Sequence, residues 1–377
     1  MKVLVIGDVI TDKYIYGTST RMSPEAPVPI VNLQEVKTTV GGAGLVFSNL
    51  KNLGVDVKLL NLSNPQCVKM RVISNGHYIT RIDEDYITEG ADKTILSKDF
   101  SEYDYVILSD YNKGVLDNTQ AIIKHINSFG CKIIVDPKRH ADNYLGAWLV
   151  KPNAKEFTEL GFDKWQGNII TTYADKPLVA TIDNEKYAAF PDEVEVNDVT
   201  GAGDCFLAAF VYALTLGKDY LTCLETAVKA STESVKHVGT YLLSKKDLEE
   251  TVVFTNGVFD ILHKGHFELL KQARALGTKL VVGINSDASV KRLKGESRPI
   301  NDEKTRIEQL EALPWVDEVF VFNDDTPYNL IKRLNPALIV KGGDYTVETV
   351  VGHDLAPVHI VPTVKGYSTT KIIENSR

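Results

Sequence analysis

Short apolar runs, each ending in glycine or a polar residue, recur along the chain. They fall at 3–6 before Gly7-Asp8, at 57–60, and at 105–108 before Ser109-Asp110-Tyr111-Asn112-Lys113-Gly114. Two more fall at 133–135 before Asp136-Pro137-Lys138 and at 148–150 before Lys151-Pro152-Asn153-Ala154-Lys155-Glu156. Runs of this length, bounded by turn formers, read as buried strands. Polar residues at successive strand ends mark the edge where open α/β sheets place ligands. Residues 69–74 and 77–82 flank Asn75-Gly76, a hairpin signal. Gly41-Gly42-Ala43-Gly44 opens a helical stretch through Leu53, and Asp12 stands about one helical turn past Asp8. Three prolines within 21–29 exclude helix and favour an extended, edge-like path.

After residue 251 strand and helix alternate, with strands expected near 252–255, 279–284, 317–322, 337–341 and 357–361. That alternation predicts a parallel, doubly wound sheet. The chain therefore reads as α/β with two domains, 1–247 and 250–377, joined by a short charged crossing at 244–250.

Composition narrows the function classes. The 377 residues suffice for two or three domains, and a net charge of −8 argues against general affinity for nucleic acid. No apolar run approaches the roughly 18 residues of a membrane span. The opening residues read as a strand rather than a signal peptide. Cys67, Cys131, Cys205 and Cys223 form no C-x-x-C pair. They fit packing roles in a reducing compartment, so a cytoplasmic location without membrane association is expected.

Two stretches carry the chemistry. Thr255-Asn256-Gly257-Val258-Phe259-Asp260-Ile261-Leu262-His263-Lys264-Gly265-His266 joins an apolar run to an amphipathic segment with Leu269, Ala273 and Leu276 at helical spacing. The pattern is a strand turning into a helix, with both histidines on one face. Gly257 and Gly265 let backbone approach a ligand, and the unpaired amides of a helix start favour an anion. Surface capping and metal binding are the rival readings of His263 and His266; a third zinc ligand at suitable spacing is missing nearby. The second stretch is Asp198-Val199-Thr200-Gly201-Ala202-Gly203-Asp204, followed by an apolar helix. Gly201, Ala202 and Gly203 can form an amide nest for a phosphate in flight. Asp204, in the first turn, can take the proton of an attacking hydroxyl.

The first stretch resembles the G-x-F-D-x-x-H-x-G-H signature of the cytidylyltransferase-like nucleotidyltransferases. Asn285-Ser286-Asp287, Lys291-Arg292-Leu293-Lys294-Gly295-Glu296-Ser297-Arg298, Lys341-Gly342-Gly343-Asp344-Tyr345 and Tyr367-Ser368-Thr369-Thr370-Lys371-Ile372 continue the resemblance, which is similar to the adenylyltransferase half of bifunctional ADP-heptose synthases. Asp198 to Asp204 resembles the ribokinase-family signature, and residues 1–30 and Asn153-Ala154-Lys155-Glu156 agree with it. The fold implied is a ribokinase-like α/β domain followed by a Rossmann-like nucleotidyltransferase domain with a parallel sheet.

The resemblance implies roles residue by residue. Asp204 is the kinase base; Gly201, Ala202 and Gly203 are its anion hole; Asp8, Asp12, Gly41 and Gly42 fall on the sugar side; Asn153 and Glu156 associate with magnesium and phosphate. In the second domain His263 and His266 are catalytic, while Gly257, Phe259, Lys294, Arg298, Thr369 and Thr370 bind phosphate. Asn285, Asp287, Gly342, Gly343 and Asp344 border the base. ATP and Mg²⁺ are implied, with the metal bridging phosphates and no dedicated protein site. Sugar phosphates are the implied substrates, and a homo-oligomer, a dimer through the kinase domain, is expected.

The kinase half departs from its family. The segment between Leu60 and Lys69 is short by roughly a βα unit, 160–177 is abbreviated, the 181–187 loop lacks glycine, and Leu45 stands where heptose kinases carry Asn. Three readings stay open: a bifunctional kinase and adenylyltransferase, a nucleotidyltransferase (adenylyl or cytidylyl) with an inactive kinase module, and a non-enzymatic nucleotide-binding protein.

Overall fold

The computed structural model describes residues 1–174, 176–343 and 345–362. The chain divides into two compact units, Met1–Leu248 and Glu249–Arg377. In chain order the first carries β1 (Lys2–Gly7), β2 (Val9–Thr18), β3 (Asn32–Gly42), β4 (Asp56–Leu60), β5 (Cys67–Ser74) and β6 (His77–Glu84). It continues with β7 (Tyr105–Ser109), β8 (Lys132–Asp136), β9 (Leu149–Val150), β10 (Asn168–Thr171), β11 (Leu178–Ile182) and β12 (Glu185–Ala189).

Eight of these strands form one sheet, in the order β12-β11-β10-β9-β8-β7-β1-β4. The stretch from β10 to β4 is parallel, with β11 and β12 added antiparallel at one edge. Strand side chains alternate between faces, and here both faces are covered. Val3, Val5, Ile107 and Ile134 pack under the helices Ala202–Thr215 and Tyr220–Ser234. Leu4, Ile6, Val106, Leu108, Ile133 and Val135 pack on the other side with Ile122, Ile123 and Ile126 of the helix Thr119–Asn127. Double burial is why these strands read as unbroken apolar runs.

A second sheet of four strands has the order β3-β2-β5-β6. The Asn75-Gly76 turn between β5 and β6 has positive φ at both residues, 52° and 81°, the twist a two-residue hairpin needs. β2 and β3 correct the sequence reading. Asp12 lies on a strand, not a helical turn past Asp8. Ile10, Asp12 and Tyr14 point inward in alternation with Thr11, Lys13 and Ile15, and β-branched and aromatic residues favour that extended path. The prolines of 21–29 sit in the connection from β2 to β3, where Met22 and Pro29 form an isolated bridge.

The second unit holds β13 (Val252–Gly257), β14 (Lys279–Asn285), β15 (Glu318–Phe322), β16 (Leu338–Gly342) and β17 (Val358–Val361). All pair in parallel in the order β15-β14-β13-β16-β17. The strand order reverses between β13 and β16, the position where doubly wound sheets open a crevice. Among the described residues no helix is long and apolar enough to cross a membrane.

One buried acid fixes the loop beside the first unit's cavity. Asp8, 1% exposed after β1, accepts backbone N–H bonds from Tyr111 at 2.9 Å, Lys113 at 3.1 Å and Val115 at 3.1 Å. A buried amide left without an acceptor costs about 1–3 kcal/mol. Asp8→Ala is therefore expected to destabilise the protein by about 3 kcal/mol or more, read as a lower urea midpoint by circular dichroism. An unchanged midpoint would show that the loop does not depend on this carboxylate.

Candidate active sites

The first site lies between the large sheet and the small one. Its cavity is lined by Ile10, Asp12, Gly41, Gly42, Lys69, Arg71, Tyr111, Thr200, Gly201, Asp204 and Thr240. The small sheet contributes Asp12, Lys69 and Arg71 from neighbouring strands. Asp12 pairs in register with Lys69, and Asp12 accepts an ion-paired hydrogen bond from Arg71. A Cβ at Gly41 would sit 2.1 Å from Asp12 Oδ2, and Gly42 has φ 57° with a Cβ position 2.4 Å from the Asp8 carbonyl. Glycine is required at both positions for the cavity wall to exist. Gly44 instead packs on Val40 and Val9, so the glycine cluster serves both ligand space and packing.

Asp204 lines one end of this cavity. Gly201, at φ 77°, caps the helix Ala202–Thr215, and Cys205 N–H closes the first turn on its carbonyl. Ala202 N–H reaches back to the Val199 carbonyl at 3.3 Å, and the other amides of the first turn remain for a ligand. A Cβ at Gly203 would come 3.6 Å from Lys151 Nζ. Asp204 is 4% exposed, and Tyr111 donates its hydroxyl to Asp204 Oδ1 at 2.9 Å. Burial, reinforced by the nearby Asp136 charge, pushes its carboxyl up to about 7, against the Tyr111 bond and Lys151. Such a carboxyl is poised to exchange a proton near neutrality. Asp198 ties the motif down: Oδ1 accepts Thr200 N–H at 2.9 Å, and Oδ2 accepts Tyr78 O–H at 2.7 Å and Gly239 N–H at 2.9 Å.

The remaining kinase-side residues fall beside this core. Asp8 does not line the cavity; its oxygens are used by the 111–115 backbone, so it supports the wall rather than presenting oxygens to a sugar. Asn153 and Glu156 form a capping box on the helix Ala154–Glu159. Glu156 also pairs with Lys138, and Asp136 meets Lys151 at 3.1 Å. Among the described residues no three His, Cys, Asp or Glu side chains gather as metal ligands.

The second site follows β13. His263 caps the helix Lys264–Ala275, and His266 lies in its first turn. The two imidazoles stack at 3.8 Å with 16° between planes, and the Phe259 ring lies 5.1 Å from His266. Phe259 has φ 49°, an uncommon backbone for a non-glycine residue, and its ring fills the space a side chain at Gly257 would need. Burial, with His263 beside it, pushes His266 down to about 4; burial also lowers His263. His266 is therefore neutral at pH 7. The Nδ1 atoms of both histidines are buried without a partner among the described residues, as expected of groups that meet a ligand.

Around the histidines the structure adds a frame. Asp260, 1% exposed, accepts from Arg298 Nε at 2.8 Å and from the backbone of Ile300 at 2.9 Å and Asn301 at 2.8 Å. Arg298 is thus anchored to Asp260, while Lys294 is exposed at the end of the helix Asp287–Lys294. Asn285 and Asp287 are brought together by Arg306, a residue that the sequence reading missed. Arg306 is fully buried, donating to the carbonyls of Val258 and Asn285 at 2.9 Å each and to Asp287 Oδ1 at 2.7 Å. The available signal was a cation on the same helical face as Leu310. Gly342 closes on Leu269, and Gly343 has φ 112°. Asp344, Thr369 and Thr370 lie outside the described residues.

Known proteins repeat both halves. Residues 45–247 match the pfkB family of carbohydrate kinases, and residues 254–375 match the cytidylyltransferase-like family. A bifunctional protein HldE from Nitratiruptor sp. is 36% identical over 460 aligned positions, covering 100% of this chain and 99% of that protein. The HldE of Campylobacter fetus is 37% identical over 454 positions, covering 99% of each. The fold of the first half recurs in phosphofructokinase-2 from Escherichia coli (TM-score 0.52, 15% identity, 65% of this chain and 96% of that one). It recurs again in ribokinase from Thermotoga maritima (TM-score 0.51, 17% identity, 65% and 97%). With full-length similarity at this level, the chain belongs to the bifunctional HldE family, enzymes that join a pfkB-type carbohydrate kinase to a cytidylyltransferase-like nucleotidyltransferase.

Proposed function

We propose that the kinase half phosphorylates heptose 7-phosphate at C1 with ATP, and that the second half transfers an adenylyl group from ATP to heptose 1-phosphate. The products of the second step are ADP-heptose, for surface glycan and lipopolysaccharide assembly, and pyrophosphate. A phosphatase step falls between the two. The observation that carries the reading is Asp204, desolvated at the end of a cavity walled by Asp12, Arg71, Gly41 and Gly42.

In the first reaction the C1 hydroxyl attacks the γ-phosphorus, its proton passes to Asp204, and ADP leaves. The amides at Gly201 to Gly203 meet charge developing on the phosphoryl oxygens. Asn153, Glu156 and Asp136 stand on the phosphate side, where Mg²⁺ supplies charge neutralisation when bound. In the second reaction a sugar 1-phosphate oxygen attacks the α-phosphorus and pyrophosphate leaves. His263 and His266 supply hydrogen bonds to the phosphates, and the frame of Asp260, Arg298 and Arg306 holds the loop that carries them. This step needs positioning and charge stabilisation, with no covalent intermediate.

The expected dimer has a surface to match. The cavity-facing side of the small sheet carries Asp12, Lys69 and Arg71, so Ile15, Val36, Met70, Val72 and Ile82 lie on its outward side. Val36 is 50% and Ile82 49% exposed. A second copy covering this apolar face would remove it from water.

Three outcomes test these proposals. With Mg-ATP and heptose 7-phosphate, mass spectrometry is expected to show heptose 1,7-bisphosphate. Asp204→Asn should lower that turnover by about 10²–10⁴-fold and spare pyrophosphate release from ATP and heptose 1-phosphate; His266→Ala should do the reverse by about 10²–10³-fold. Loss of both activities in either variant would refute separate sites. A base with its carboxyl at about 7 must be ionised to act, so kinase kcat/KM should rise as pH rises through 7. Adenylyl transfer should not rise with the kinase between pH 6 and 7, because His266 at about 4 is already neutral; a matching rise would contradict the histidine roles. Finally, light scattering should show a dimer that Val36→Lys with Ile82→Lys converts to monomer, and a variant that remains a dimer would exclude this face.

A further inference from the structure

Lys341 stands at the crevice of the second unit, with no carboxylate paired to it among the described residues. It lies near the end of β16, directly across the reversal in strand order from the end of β13. Its Nζ donates to the Asn256 carbonyl at 2.7 Å, so one of its three N–H groups is used. Among the described residues no carboxylate lies within ion-pair reach of it. The aromatic ring of Tyr345, itself half exposed, is 5.5 Å from the ammonium. The acids that follow β13 and β14 are already engaged, Asp260 by Arg298 and Asp287 by Arg306.

The other cations are less well placed to serve a phosphate in the crevice. Arg298 spends two nitrogens on Asp260, and Lys294 is exposed. Of the stacked histidines, His266 brings a hydrogen bond and no charge. Burial pushes Lys341 down to about 8, and no carboxylate among the described residues offsets it. Keeping such a group at a ligand edge is unfavourable unless an anion joins it.

We propose that Lys341 is a phosphate-binding residue of the nucleotidyltransferase site, reaching from the Asn256 carbonyl to a phosphate group of the reactants. This rests on the nucleotidyltransferase reading above. The phosphate belongs either to ATP or to the sugar 1-phosphate, and kinetics separates the two.

The test compares Lys341→Gln, Lys341→Met and Lys341→Arg in the full chain. Gln keeps a donor for Asn256 and loses the charge; Arg keeps the charge. Pyrophosphate release is measured while ATP and heptose 1-phosphate are varied in turn. Gln and Met are expected to lower kcat/KM by roughly 30-fold, with Arg recovering part of the loss. A rise in KM confined to the sugar phosphate assigns the contact to the acceptor, and one confined to ATP assigns it to the donor. Gln acting like the unaltered protein would overturn the proposal and leave a strand-bridging lysine. Kinase turnover of the same variants should not change, which checks that the chain is folded. If the unaltered protein releases no pyrophosphate with heptose 1-phosphate, the substrate reading has failed, and Lys341 is then judged by calorimetric titration with inorganic pyrophosphate. Weaker binding by Lys341→Gln supports the contact; equal binding refutes it.

Discussion

A buried aspartate placed just after the first strand of each unit sets the geometry of everything around it. After β1, Asp8 gathers the N–H groups of Tyr111, Lys113 and Val115; after β13, Asp260 gathers Arg298 and the N–H groups of Ile300 and Asn301. Loops at the carboxyl ends of parallel strands have backbone groups that the sheet cannot satisfy. An ionised carboxylate can accept several such bonds at once, and charge-assisted bonds are about twice as strong as neutral ones. Each acid therefore converts a flexible crossover into a wall. Tyr111, positioned by Asp8, can then hold Asp204. The arginine and loop held by Asp260 frame the two histidines.

The electrostatics of both sites follow from the same exclusion of water. Desolvation moves a carboxyl up and an imidazole or ammonium down. Asp204 rises toward neutrality, His266 falls well below it, and Lys341 falls to the upper edge of the physiological range. The first unit thereby holds a carboxyl that can exchange a proton near pH 7. The second holds a neutral imidazole at His266 and a desolvated ammonium at Lys341. Different chemistries emerge from one physical cause because different residue types occupy the strand ends.

What could be read from the sequence divides along physical lines. Strands buried on both faces announce themselves as apolar runs, so the large sheet and the five strands of the second unit were legible. So was the position of Asp204 and of the histidine pair at the start of a helix, because glycines before an amphipathic or apolar run mark that turn. β2 and β3 were not, because a sheet with one polar working face mixes Asp12, Lys13 and Tyr14 with apolar residues and shows no clean run. The Asp12–Arg71 pair joins residues 59 positions apart, beyond the reach of any local pattern. Asp8 was visible as an acid at a strand end, but whether such an acid faces a ligand or the backbone depends on the loop it meets, which arrives from 111–115. Arg306 was hidden for a related reason: most of its partners are carbonyls, which leave no trace in side-chain composition, and its one carboxylate partner, Asp287, lies 19 positions away.

The shortened kinase half shows which parts of the fold the chemistry requires. The 181–187 segment forms the β11–β12 hairpin, and Asp183 and Asn184 take the positive φ values, 52° and 68°, that its turn needs. Asp and Asn tolerate that region better than other side chains, so the turn forms without glycine. Asp183 is held further by Asn168 and by the Tyr220 hydroxyl at 2.7 Å. Leu45 packs against Gly201, where a Cβ would come 2.6 Å from its Cδ2. This is an apolar contact at the start of the helix Ala202–Thr215, and the cavity's charged lining from the small sheet is Asp12, Lys69 and Arg71. The contacts that fix Asp204 and its motif converge from the acid after β1, the 111–115 loop and the small sheet rather than from the β11–β12 edge of the large sheet.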